Sequence, residues 1–234
     1  MRPIETSEAV QREARERLYP ALTNPNWLVL RIRREIFRAW LARIPGNNLS
    51  VLDLGGRIQP YRTLLNGRVQ KYVAVDLRKS PLVDLIGDGT HLPLSSSMFE
   101  LVLCTQVLEY VPQPAAVVAE LYRVLKPGGF LVLSVPSVFP RDSDEDTWRF
   151  LPTSLRVLLS SFAELEIAPE GTSIAGFFRT MCVCLQILVR PRFLRTLTRF
   201  MLVPVLNVTG YILESVLPTS NDQFTANFSV VARK

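Results

Sequence analysis

Cysteine is scarce and histidine nearly absent: the 234 residues contain three cysteines, Cys104, Cys182 and Cys184, and one histidine, His91. Three cysteines at these spacings can build neither a disulfide framework nor a four-ligand zinc site. They read as small buried hydrophobes, and no metal site is expected. The amino terminus, MRPIETSEAVQREARERLYP, lacks the apolar core of a secretory signal, which points to a cytoplasmic chain. An uncharged run of the ~20 residues needed to span a bilayer is also missing. The longest, FMLVPVLNVTGYIL at 200–213, is shorter and carries Pro204 and Gly210. The expectation is that it does not cross.

Charge and hydropathy are unbalanced in the other direction. Lys and Arg number 27 against 21 Asp and Glu, a net charge of +6 that favours anionic partners. Mean hydropathy is +0.19, high for a freely soluble chain of this size. A chain of this length buries one sizeable core, so a single α/β domain with additions is expected.

At 27–44 the apolar residues Val29, Ile32, Ile36, Phe37, Trp40, Leu41 and Ile44 recur every three or four positions. Arg31, Arg34 and Arg38 share another face. This spacing predicts an amphipathic helix ended by Pro45-Gly46. Its aromatics lie on the core side, so base stacking, and with it nucleic acid as a partner, is not expected.

Beyond Gly46 short β-branched runs follow: LSVLDL, KYVAVDL, FELVLC and GFLVLSV. They read as buried parallel strands. A helical stripe at 114–125 joins the last two into a βαβ unit. Repeated units of this kind give a doubly wound, Rossmann-like α/β sheet. ELEIA and QFTANFSVVARK are predicted as later strands. The parts are an N-terminal helical extension (1–47), a core (48–170), a hydrophobic helical insertion (171–222) and a last core strand (223–234). In the insertion Arg192, Arg195 and Arg199 follow one helical face, with Arg179 and Arg190 nearby. Apolar bulk beside an arginine face suits a helix lying among anionic headgroups, while a lid or a contact in a homodimer is the bland alternative.

The stretch VLDLGGRIQPY places glycines after a strand, where open α/β sheets bind ligands. A dinucleotide fingerprint needs G-x-G-x-x-G, and G-G-R-I-Q-P lacks the later glycines. A phosphate cradle and a nicotinamide-dependent oxidoreductase are therefore disfavoured. Asp76 ends the next strand, where a carboxylate accepts both ribose hydroxyls, and Asp88 follows in GDGTHLPL. Three acids at successive strand ends point to a nucleoside ligand.

In the order of these motifs, over about 49–167, the chain resembles the class I S-adenosylmethionine-dependent methyltransferases. The matching stretches are VLDLGGRIQPY, VAVDL, GDGTHLPLSSSMFELVLCTQVLEYV, LYRVLKPGGFLVLSVPS and DTWRFLPTSLRVLL. The resemblance implies a seven-stranded, mostly parallel sheet with an antiparallel last strand, and S-adenosylmethionine as cofactor. It places Asp53, Gly55, Gly56 and Arg57 at the methionine end, Asp76 and Leu77 at the ribose, and Asp88, Gly89 and Thr90 at the adenine. Thr105, Gln106 and Val107 would cover the cofactor. Two positions depart from the family: its next glycine is Arg57 here, which makes the loop bulkier, and the common His after Leu-Glu is Tyr110. Pro60-Tyr61-Arg62 and the segment 146–152 look like a subgroup of bacterial methyltransferases associated with glycan and cell-envelope assembly.

An alcohol acceptor must lose a proton, and the candidate bases are His91 and the acidic segment RDSDEDTW, above all Asp146. That segment follows a strand's C-terminal end, so Asp142, Trp148 and Arg149, with Tyr61 and Tyr110, are candidate substrate contacts. The expected reaction is O-methylation of a glycan, a lipid-linked acceptor or a similar small molecule at the inner membrane surface. A catalytically degenerate scaffold that binds the cofactor is the alternative, motivated by Arg57 and Tyr110.

Overall fold

The computed structural model describes residues 7–141, 143–217 and 221–234. Two helices, α1 (Ser7–Leu18) and α2 (Trp27–Arg43), precede a sheet of seven strands: β1 (Leu49–Leu54), β2 (Val69–Asp76), β3 (Leu85–Ile86), β4 (Phe99–Thr105), β5 (Leu125–Pro136), β6 (Glu164–Pro169) and β7 (Asn227–Arg233). Helix α3 (Pro114–Val124) leads into β5, and α4 (Pro152–Leu158) lies between β5 and β6. Helices α5 (Ser173–Leu188) and α6 (Arg192–Val216) form the insertion. The strand order is β3-β2-β1-β4-β5-β7-β6. β1 to β5 pair in parallel, and β7 runs antiparallel between β5 and β6. This is the expected doubly wound sheet, and the order reverses between β1 and β4, where such sheets open a crevice.

Strand alternation divides the core. Leu52, Leu54, Val102, Cys104, Leu131 and Leu133 point to one face, which α3 and α4 cover with Val117, Leu121 and Leu155. Leu49, Val51, Leu101, Leu103 and Val132 point to the other, against Phe37, Trp40 and Leu41 of α2. Phe37 is fully buried and packs at a tilt against Tyr61, ring centres 4.7 Å apart. Truncating it to Ala is expected to cost about 3–5 kcal/mol.

Arg33 breaks the pattern of α2. It lies on the apolar stripe, one turn before Phe37, yet is only 2% exposed. Its Nε donates to both oxygens of Glu170 at 2.8 and 2.9 Å, just past β6. Glu170 also accepts from the Ser134 and Ser229 hydroxyls at 2.6 and 2.7 Å. A carboxylate so enclosed needs all these donors to offset its lost hydration.

The insertion is held to the body along one side only. Asn207, fully buried on α6, donates from Nδ2 to the carbonyls of Leu22 and Asn24. Glu214 accepts from the Thr172 N–H at 2.8 Å. A Cβ on Gly176 would stand 1.8 Å from the Phe224 carbonyl oxygen, so only glycine lets α5 approach that segment. The outer side is apolar and exposed, including Phe193, Phe200, Met201, Val205 and Ile212. Against the expectation from the uncharged run, α6 is long and apolar enough to cross a membrane by length and composition, because the helix continues through its flanking arginines. Arg179 of α5, expected near the basic face of the insertion, is instead fully buried.

Candidate functional site

The C-terminal ends of β1, β2, β3 and β4 bring the expected cofactor residues into one row. After β1 the chain turns at Gly55, with φ +82°. The N–H groups of Gly55 and Gly56 both donate to the Val75 carbonyl, at 2.8 and 3.2 Å, which ties the turn to β2. A Cβ on Gly55 would lie 2.4 Å from Val107 Cγ2, and one on Gly56 would lie 2.7 Å from the Asp53 carbonyl oxygen. Neither position accepts a side chain, so the turn stays thin and backbone-lined.

Arg57 does not enlarge this loop, as had been expected. Its guanidinium forms an ion pair with Glu13 of α1, and its carbonyl accepts the Ser80 hydroxyl at 2.8 Å. The ion pair accommodates the bulk that a glycine would have avoided, and it also draws α1 toward the turn.

The three acids differ in environment. Asp53 is 4% exposed and accepts the Tyr72 hydroxyl at 2.6 Å. Burial pushes its carboxyl up to about 7; the Tyr72 bond opposes this and the charge of Asp76 adds to it. Asp76 is partly exposed, and its Oδ1 accepts the Arg78 N–H at 2.8 Å. Oδ2 carries no bond among the described residues. Asp88 is exposed, and the Thr90 hydroxyl and N–H, at 2.7 and 3.0 Å, hold it below the usual carboxylate range. Gly89 beside it has φ +82°, and Leu77 is 64% exposed.

Gln106 at the end of β4 adopts φ +54° and donates to Ser134 from both its backbone and its side chain, which fixes the run Thr105, Gln106, Val107 over the sheet edge. A glycine turn without room for a Cβ, a strand-end carboxylate with one oxygen spare, and apolar Leu77 and Val107 fit a nucleoside with a zwitterionic tail. They offer no cradle for a pyrophosphate.

The acceptor side departs from the expected assignments. Asp146 has a side chain only 3% exposed, and Arg149 binds both its oxygens, at 2.5 and 2.7 Å. A carboxylate engaged at both oxygens by a guanidinium is a weak base. His91 is exposed beyond the Asp88 turn, near Glu120 of α3. Trp148 donates from Nε1 to the Val111 carbonyl at 2.9 Å and anchors the loop, while 41% of it remains exposed. Arg149 also donates to the carbonyls of Phe139 and Pro140, so it too holds the loop. Tyr61 is 3% exposed and packed in the core on Phe37, with its hydroxyl beside Arg33. It is a core residue rather than a substrate contact. Tyr110 is partly exposed, next to Arg149. Asp142 lies outside the described residues.

Sequence reasoning passed over Glu109. It is 2% exposed, and Oε2 has no hydrogen-bond partner. Its backbone carbonyl accepts the N–H groups of Thr147 and Trp148, which brings the acidic loop over β4. Burial pushes its carboxyl up to about 8; a backbone bond and Arg33 pull it down, and Asp146 pushes it up. The signal available was an acid inside an apolar run, VLEYV, three residues past the Thr105–Gln106 edge. An orphaned carboxyl with a raised pKa at the reactive edge is suited to exchanging a proton near neutral pH.

The family model described as a methyltransferase domain matches residues 52–133, from β1 into β5. An uncharacterized methyltransferase of Mycobacterium sp. (strain KMS) is 30% identical over 110 residues, covering 43% of this chain and 43% of that protein. The ubiquinone biosynthesis O-methyltransferase of Marinobacter nauticus is 33% identical over 100 residues, covering 43% and 36%. The chain thus spans less than half the length of these curated relatives. Among solved structures, a SAM-dependent methyltransferase from Archaeoglobus fulgidus superposes with a TM-score of 0.55 at 14% identity, covering 94% of this chain and 97% of its own. Phosphoethanolamine N-methyltransferase 2 of Haemonchus contortus, in complex with S-adenosyl-L-methionine, gives 0.55 at 15%, covering 95% and 59%. At such identities these likenesses show the fold.

Proposed function

We propose, from the premise that residues 52–133 form a methyltransferase domain on the class I S-adenosylmethionine-dependent fold, that this chain methylates an oxygen of an amphiphilic acceptor. The acceptor class is a glycan, a lipid-linked saccharide or a similar small molecule, met at an anionic membrane surface. The observation that carries the reading is the buried, half-bonded Glu109 carboxyl beside the row of cofactor-type residues. The relative named as a ubiquinone biosynthesis O-methyltransferase favours oxygen as the atom methylated.

Asp76 would hold the ribose hydroxyls, Asp88 and Thr90 the adenine edge, and the Gly55–Gly56 turn with Asp53 the amino-acid end. When bound, S-adenosylmethionine supplies a methyl group already activated by its sulfonium. The chain then aligns the acceptor oxygen and excludes water. Glu109, when ionised, takes the acceptor's hydroxyl proton at Oε2, and Val107 with α1 closes the site.

The membrane part rests on the α5–α6 surface. Its exposed apolar side adjoins Arg190, Arg192, Arg195 and Arg199, a combination suited to anionic headgroups. Because α6 is bonded to the body through Asn207 and Glu214, we read it as lying along the surface rather than crossing. The scaffold alternative was motivated in part by Arg57, and the ion pair to Glu13 weighs against it.

The test is transfer of labelled methyl groups from S-adenosylmethionine across a panel of lipid-linked saccharides presented in anionic vesicles. Incorporation that Asp76→Ala abolishes is expected. Cofactor binding with no methylated product across the panel would favour the scaffold.

A further inference from the structure

Arg179 is the most unusual charge in the molecule. It is fully buried on α5, its Nε donates to Asn26 Oδ1 at 2.8 Å, and its guanidinium carbon lies 3.5 Å from the centre of the Phe139 ring. Neither Nη1 nor Nη2 has a hydrogen-bond partner, and among the described residues no carboxylate pairs with it. Burial, then the neighbouring charge of Arg33, lowers its pKa to about 9. Arg33 leaves Nη1 without a hydrogen bond, although Glu170 holds its other nitrogens and the Tyr61 hydroxyl lies beside it.

Charge and hydrogen bonding are therefore both incomplete at this point. Glu170 pairs with Arg33 alone, its Oε1 also accepting the Ser134 and Ser229 hydroxyls, and Arg179 stands within electrostatic reach of Arg33 without a carboxylate of its own. Glu109, within electrostatic reach of Arg33, stays neutral below about pH 8 and does not cancel the excess. Stacking on Phe139 offsets part of the cost of burying Arg179. An unpaired buried charge with unused donors is still strongly disfavoured unless a ligand completes it. Guanidinium forks bind planar or tetrahedral oxyanions best.

The position indicates which ligand. Arg33, Glu170 and Phe139 lie at the C-terminal ends of β6 and β5, on the same sheet end as the Gly55–Gly56 turn but beyond β4. Arg33 there is within electrostatic reach of Glu109. Nearby, Asn227 at the start of β7 is 2% exposed, and its Oδ1 accepts nothing among the described residues. Its carbonyl takes the Glu170 N–H at 2.9 Å. An unpaired acceptor beside unpaired guanidinium donors suits an anion that carries a hydroxyl of its own.

We propose that Arg33 and Arg179 form an oxyanion site for the methyl acceptor, and that the acceptor is a hydroxylated acid, either a carboxylate or a phosphate ester. The proposal rests on the methyltransferase reading for the role of the ligand but not for the existence of the site. The arginines anchor the anionic end, and the hydroxyl to be methylated is presented toward Glu109.

The full chain, saturated with S-adenosylhomocysteine, is titrated with glycolate, acetate and inorganic phosphate at constant ionic strength, and its Tm is followed. The expected result is a saturable rise, roughly 3–6 °C at ten times the Kd, from glycolate or phosphate. The responding anion separates the carboxylate from the phosphate source. Arg179→Met is expected to abolish the rise and, without anion, to melt no lower than the natural chain, because an unpaired buried charge has gone. Arg195→Met, on the exposed face of α6, keeps the full response. Should Arg179→Met fold poorly, Arg179→Lys keeps the charge without the fork and is expected to weaken the anion at least about tenfold. No saturable response from any of the three, or an unchanged response in both Arg179 variants, overturns the proposal. An oxyanion response in a protein that does not bind S-adenosylhomocysteine upholds the site and contradicts the methyltransferase reading instead.

Discussion

Replacing Glu109 with Gln tests the proposed base through stability as well as rate. The carboxyl moves from an ordinary 4.5 to about 8 on folding, so between those values the folded chain holds a proton that the unfolded chain has released. Its contribution to stability is complete below about pH 4.5, declines as pH rises and is gone above about 8. Across the two units from pH 5.5 to 7.5 the natural chain loses on the order of 2–3 kcal/mol through this group. Glutamine preserves the shape and never ionises, so the variant lacks this slope. For a chain of this size the Tm gap between the two proteins should widen by roughly 5–11 °C across the two pH values. Scanning calorimetry at pH 5.5 and 7.5 reads this directly, and the other titrating groups, Asp53 included, cancel in the difference. A gap that stays constant refutes the buried, protonated Glu109. In the rate, kcat/KM is expected to rise toward a plateau above about pH 8, and Glu109→Gln to lower it by about 10²–10⁴.

Gly55→Ala forces a side chain into a positive-φ position 2.4 Å from Val107 Cγ2. A loss of roughly 3 kcal/mol and of measurable cofactor affinity is expected by denaturant titration and calorimetry. Arg57→Gly removes a partly exposed ion pair with Glu13; stability should change by less than ~1 kcal/mol and cofactor Kd by less than about threefold, and a larger gain in affinity would mean that the side chain does obstruct the turn. Reversing Arg192, Arg195 and Arg199 to Glu should abolish flotation on anionic vesicles, since each contributes about 1 kcal/mol near such a surface. Persisting flotation would assign the apolar face to something other than headgroup attraction, and a concentration-dependent dimer without vesicle binding would assign it to a second copy.

The sheet and the row of strand-end acids were legible because both are written locally. A β-branched run followed by Gly or Asp marks a strand end, and four such ends in order place Asp53, Asp76, Asp88 and Thr105 on one edge. Helix α2 was equally clear from its 3.6-residue stripe. The acceptor side was less legible because its residues gain their meaning from partners far away in sequence. Asp146 reads as a free acid until Arg149 is seen to fold back on it, and Tyr61 reads as a surface residue until Phe37 covers it. Arg179 lies near the exposed arginines in sequence, and only its packing against Phe139 and Asn26 separates it from them. Arg33 and Glu109 did leave a trace: each is a charge set inside an apolar pattern, which signals either an error of assignment or a buried site.

Calorimetric titration of the folded chain with S-adenosylmethionine and S-adenosylhomocysteine, beside an Asp76→Ala control, tests the central claim most directly. Saturable binding of both, removed by the substitution while Tm is retained, is the predicted result. No binding by a folded natural chain, or binding that Asp76→Ala leaves unchanged, would contradict the reading of the glycine turn and the strand-end acids as a nucleoside-cofactor site.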